Sequence, residues 1–308
     1  MTVVLVTIGI AILSMPRWMS PLTRRLDPRE AVRMCVGAVV LGAILVEVSL
    51  ILFAVPVISH ALGLKSLSVS CHFLSDLTPG GLPVGWLIAV LAAALPVLVR
   101  RGWLRANAVT EAMRAEPSLG SHRSYNGIDL VQLPTESLIA YSIGTPDPQI
   151  VVSDGLASLL SPDEFEAVVS HEAAHVHDDH GRMLRILAAL ETPVPSLRWI
   201  TTSVRVAMER CADESAVRHD PAKRMALLDA LLKVSDAHVP DSIAAFTQRS
   251  GVVERAHALL ASPPAPTGLQ RVLARVTVSG AAAGSVVLLA GWAFEAHMLM
   301  TMSGLCCK

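Results

Sequence analysis

Charge is scarce in this chain: Asp, Glu, Lys and Arg make up only 17% of its 308 residues. The formal net charge is −1, so no broad basic face is available to neutralise phosphates, which argues against direct nucleic-acid binding. There are five cysteines and no C-x-x-C pair, so the cysteines do not suggest a metal site of their own. No internal repeat or low-complexity tract occurs. What is abundant is apolar side chain. Hydrophobic residues reach 52% and mean hydropathy is +0.52, too apolar for an ordinary soluble domain and indicative of membrane spans.

Four apolar stretches carry this excess: residues 2–15, 36–62, 82–99 and 276–302. The expectation is a mainly α, integral-membrane chain with four transmembrane helices. The first stretch lacks a basic residue before it and a small-x-small site after it, so it does not read as a cleaved signal. Arg17, Arg24, Arg25, Arg29 and Arg33 follow the first stretch. Arg100, Arg101 and Arg105 follow the third, and Arg271 and Arg275 precede the fourth. The loop between the second and third holds only Lys65. By the positive-inside rule the N-terminus is outside a cell membrane crossed several times, and the segment between the third and fourth spans is cytoplasmic. Three regions result: residues 1–105 with three spans, a cytoplasmic domain over 106–270, and 271–308 with the last span and an external tail. Cys71, Cys306 and Cys307 then fall outside, where Cys71 is expected to pair with one of the other two; Cys35 and Cys211 are expected to be free. Glu47 and Glu295 lie inside spans, where burial against a neighbouring helix is favoured over a functional role.

Within the cytoplasmic segment, His171-Glu172-Ala173-Ala174-His175 spells H-E-x-x-H. A chance occurrence in a chain this long is roughly a one-in-a-hundred event. Ser161-Pro162-Asp163-Glu164 is a helix start: an N-cap serine, a proline in the first turn and a capping-box glutamate. Phe165, Val168, Val169 and Ala173 then form an apolar stripe. On such a helix, side chains four apart share a face, so His171 and His175 aim at one point suited to a zinc ion. Glu172 stands beside the first ligand as a general base for peptide hydrolysis.

A catalytic zinc site needs a third protein ligand. The best candidate is Glu209, on a second helical segment, with Asp213 one turn on as support for a ligand histidine or as a fourth ligand. Asp178 and Asp179 are rival ligands. His177 reads as exposed, and Cys211 reads as a packed thiol off the Glu209 face. His180, His219 and Tyr141 are candidates for stabilising the transition state.

Around these helices, residues 128–133 and 137–143 alternate like strands and 149–152 reads as a third short strand, with a turn at 146–148. A small sheet beside the motif helix can hold an extended peptide by its edge or can simply support the helix. Helices are expected at 106–115, 221–235 and 242–261. Pro193 and Pro195 break the chain before the Glu209 helix.

With these pieces in place, the chain resembles the M56 membrane zinc peptidases, the group that includes the protease–sensor proteins of β-lactamase induction. The matching residues are 150–156 (Ile-Val-Val-Ser-Asp-Gly-Leu), the helix 163–175, and the pair Glu209 and Asp213. The M48 membrane peptidases share the same elements and are the runner-up. The resemblance implies a zincin-like (gluzincin) α+β domain with a small sheet and one Zn2+ per chain, held by His171, His175 and Glu209. Where that family has an acidic residue five positions after the second histidine, this chain has His180. No large sensor segment follows the fourth stretch, so direct β-lactam sensing is not expected. The expected function is a membrane-embedded zinc metalloendopeptidase that cuts a protein substrate at the cytoplasmic face, such as a transcriptional repressor. An M48-like quality-control protease is the alternative. A non-catalytic signalling protein with a vestigial zinc site is the alternative of another class; a transporter is weaker still. The expected partners are a protein substrate and the lipid bilayer, and the sequence leaves a homodimer open.

Overall fold

The computed structural model describes residues 2–18, 26–62, 81–115, 120–217, 220–237, 244–261 and 268. It is mainly helical with one small mixed sheet. The helices are α1 (Thr2–Trp18), α2 (Pro28–Ala61), α3 (Gly81–Ala115), α4 (Asp154–Leu159), α5 (Pro162–His177), α6 (His180–Glu191), α7 (Arg198–Val217), α8 (Pro221–Ala237) and α9 (Ala244–Leu260). The strands are β1 (Ser121–Tyr125), β2 (Ile128–Leu133), β3 (Ala140–Ile143) and β4 (Gln149–Ser153).

The four expected spans need correction. Among the described residues, two helical segments are long and apolar enough to cross a bilayer, Pro28–Val55 of α2 and Pro83–Arg114 of α3. Helix α1 packs along α2 but has only 17 residues, short of the roughly 20 that a span needs. The fourth stretch lies outside the described residues, as do Cys71, Cys306, Cys307, Glu295 and His219. The two described cysteines, Cys35 and Cys211, are free and buried. Glu47 sits on α2 with both carboxylate oxygens buried and without a hydrogen-bond partner.

Two packing relationships position the site. The first joins the long helices to the domain. Val32, Cys35 and Val39 of α2 form one core with Leu187 of α6 and with Ile200, Val204, Met208 and Cys211 of α7. The N-terminal third of α2 is thus part of the domain's interior. Helix α3 likewise runs unbroken through Arg100 and Arg101 to Ala115, so residues 106–115 are its last turns and not a separate helix.

The second relationship sets α5 on the sheet. Strand order is β1-β2-β4-β3. β1 and β2 form a hairpin whose turn residues, Asn126 and Gly127, have φ of 51° and 81°, values that suit an Asn-Gly turn. β4 runs parallel to β2 and antiparallel to β3, which leaves β3 on the edge. Ile128, Leu130, Ile150 and Val152 pack with Val169 and Ala173 of α5. The capping box at the start of α5 is formed on both sides: the Glu164 N–H donates to Ser161 Oγ at 3.4 Å, and the Ser161 N–H donates to Glu164 Oε2 at 2.8 Å. Gly155 opens α4, where a side chain would overlap the Glu136 carbonyl, so the chain needs glycine there.

Candidate metal centre

Helical spacing on α5 brings His171 and His175 together. Their Nε2 atoms face each other at 3.1 Å. Helix α7 crosses beside α5 and delivers Glu209, whose Oε2 is 3.5 Å from His171 Nε2 and whose Oε1 is 3.7 Å from His175 Nε2. Ligands about 2.0–2.1 Å from a tetrahedral zinc stand roughly 3.3 Å apart, close to this triangle. Two imidazole lone pairs and a carboxylate aimed at one point repel one another unless a cation lies between them. The donor set therefore fits zinc.

The surroundings favour a cation too. Three carboxylates, those of Glu172, Glu209 and Asp213, meet one guanidinium, that of Arg255. Arg255 forks onto Asp213, with Nε to Oδ2 at 2.9 Å and Nη2 to Oδ1 at 2.7 Å, and its Nη1 lies 3.1 Å from Glu209 Oε2. Burial alone would lower the His171 pKa, but the Asp213 and Glu209 carboxylates outweigh it and raise the value to about 9. Burial and the His171 charge push His175 down to about 4. Burial would raise Glu209 and Asp213, but His171 and Arg255 hold both below the usual carboxylate range. Burial raises Glu172, partly offset by the His171 charge and by a hydrogen bond with Ser142 of β3.

Behind the donors, Asp213 Oδ1 lies 3.0 Å from His171 Nδ1, in close ionic contact. His180 Nδ1 lies 2.9 Å from His175 Nδ1. His180 is 1% exposed and sits on the far side of the His175 ring from the point of convergence. Tyr141 donates its hydroxyl to the Met113 carbonyl of α3 at 3.2 Å. Asp178 is turned away from the triangle, toward Arg29 at 3.2 Å and the Cys211 thiol at 3.6 Å. Asp179 adopts a left-handed conformation at the start of α6. Arg255 and Ser142 carry no local sequence signal. Each meets the site only through tertiary packing, Arg255 from α9 and Ser142 from the sheet edge.

Residues 108–235 match the sequence model of Peptidase family M48. This span covers the sheet, the H-E-x-x-H helix and the Glu209 helix. M48 peptidases are zinc metalloproteases, and the match supports a metallopeptidase and the M48 likeness. The M56 likeness is unconfirmed. No curated protein and no solved structure matches the chain.

Proposed function

We propose that the chain is a membrane-embedded zinc metalloendopeptidase of the M48 kind, with one zinc held by His171, His175 and Glu209. The observation that carries this reading is the convergence of those three donors beside Glu172. Zinc bound there would supply Lewis-acid polarisation of a water and of the scissile carbonyl. Glu172 takes a proton from the attacking water and hands it to the departing amine nitrogen. Its raised proton affinity suits that exchange. Asp213 steadies His171, and Arg255 holds Asp213 and Glu209 in place. The free edge of β3 offers backbone groups to an extended peptide next to Glu172. The spans are α2 and α3. The domain lies on the cytoplasmic side, since Arg100 and Arg101 end the apolar run of α3. The M48 match supports a peptidase, and the substrate we propose is a protein at the cytoplasmic membrane face.

Glu172→Gln tests the mechanism. The variant is expected to retain zinc in equal amount and to lose roughly 10²- to 10⁴-fold in peptide hydrolysis. Cleavage at the wild-type rate sinks the assignment.

A further inference from the structure

The end of one apolar helix and the passing turns of two others meet the connection between α6 and α7. Helix α1 closes with Arg17 and Trp18, and the Arg17 guanidinium lies 4.9 Å over the Trp199 ring at the start of α7. Helix α2 passes the connection at Val39, which packs in the core with Leu197 and Ile200. Helix α3 passes it at Arg100, Arg101 and Gly102, where Gly102 fits against Ala189 and Thr192 at the end of α6. The connection over residues 192–197 buries Leu197 but turns Val194 outward, and the first turn of α7 turns Arg198 and Trp199 outward. Trp199 is 60% exposed, Trp18 69% and Val194 38%, and the Arg198 side chain is 81% exposed while leaning on Glu191 at 3.6 Å. Arg100 and Arg101 are exposed as well.

Large exposed aromatics interleaved with arginines are costly in plain water and favoured at the boundary between lipid tails and headgroups. Two lengths, measured independently from these contacts, agree with that placement. Residues 40–61 of α2 extend about 33 Å and residues 81–99 of α3 about 28 Å at the helical rise. Both match a hydrocarbon core of about 30 Å. Helical side chains beyond these contacts are apolar and exposed, including Ile44, Ile51, Val90 and Val97.

We propose that Arg17, Trp18, Arg100, Arg101, Arg198 and Trp199 form an interfacial collar that seats the domain on the headgroup phosphates of the bilayer. This rests on the reading of α2 and α3 as spans. The collar also sets the height of the active site. Ten residues of α7 separate Trp199 from Glu209, so the donors stand no more than about 15 Å above the collar. An extended substrate covers that distance in four or five residues, at roughly 3.3 Å each. Bonds cut by this site therefore lie in the juxtamembrane segments of membrane-anchored proteins.

The test uses the full chain in nanodiscs of phosphatidylcholine with phosphatidylglycerol, with bromines placed on the acyl chains near the headgroups. Fluorescence lost in Trp199→Phe reports Trp199, and fluorescence lost in Trp86→Phe reports a residue inside α3. The expected result is that both components are quenched by bromolipid and both resist aqueous iodide. Arg17→Glu with Arg198→Glu should abolish the bromolipid quenching of Trp199 and leave that of Trp86. A Trp199 component that iodide quenches and bromolipid does not, while Trp86 responds to bromolipid, overturns the collar and leaves the spans standing. Failure of both components to respond to bromolipid overturns the spans and the collar together.

Discussion

The Nδ1 atoms of His175 and His180 stand 2.9 Å apart in the buried layer behind the candidate metal donors. A histidine that turns its Nε2 lone pair toward a metal carries its proton on Nδ1. His175 therefore donates, and His180 accepts. Burial first, and then His175, push the His180 pKa down to about 4, which keeps the acceptor neutral. His180→Leu removes the acceptor and should weaken zinc binding about 10- to 100-fold. His180→Asn supplies an amide oxygen and should restore most of it. Chelator competition reads both values, and equal affinity in the leucine variant would refute the role.

Among the described arginines and lysines, Arg255 is the one that faces Glu209 and Asp213 together. Asp213 is 2% exposed, so without its forked partner it becomes a buried, poorly compensated charge. Arg255→Ala should cost about 3–5 kcal/mol of stability. Arg255→Lys keeps the charge but loses the two-pronged geometry, and should fall between wild type and alanine. Denaturant unfolding of the three proteins ranks them.

Glu164 gives a stability that depends on pH. Lys233 Nζ lies 2.7 and 2.8 Å from its two carboxylate oxygens, and the Ser161 N–H donates to it. These contacts lower its pKa below the usual value. A carboxyl depressed on folding stabilises fully above its unfolded pKa of about 4.3. It loses that contribution as pH falls through the lower folded value. Glu164→Gln should lower stability by about 0.5–1 kcal/mol at neutral pH. The gap between the two proteins should close in acid, as thermal melts across that range would show.

Gly155→Ala should destabilise by about 1–3 kcal/mol, because the new methyl group meets the Glu136 backbone carbonyl and not a movable side chain. A melting temperature equal to wild type would show that the loop carrying Glu136 yields freely.

Local signals in the sequence announce part of this molecule well. Ser161, Pro162 and Glu164 announce α5, and the four-residue spacing of His171 and His175 is enough to place both on one face. Strand β1 is not announced. Ser121, His122, Arg123 and Ser124 are all exposed, so no alternation marks them. The arginine pair at 100–101 looks like the end of a helix, yet α3 runs straight through it to Ala115. Arg255 lies 42 residues from Asp213 with helix α8 between, and only the tertiary fold brings them together. The outward limit of the domain is similarly hidden, because Val32 to Val39 look like membrane residues while packing against α6 and α7.

Helix α3 is one continuous helix of 35 residues with Pro96 inside it, about 52 Å long at the helical rise. Near its inner end Arg114 grips the carbonyls of Gly144 and Asp147 at 2.6 and 2.5 Å, on the loop that leaves the edge strand. Such a helix is a lever: pivoted at its far end, a five-degree swing carries its tip by roughly 4–5 Å. A tilt of α3 would in this way reach the loop that follows β3, through the grip of Arg114 on its carbonyls.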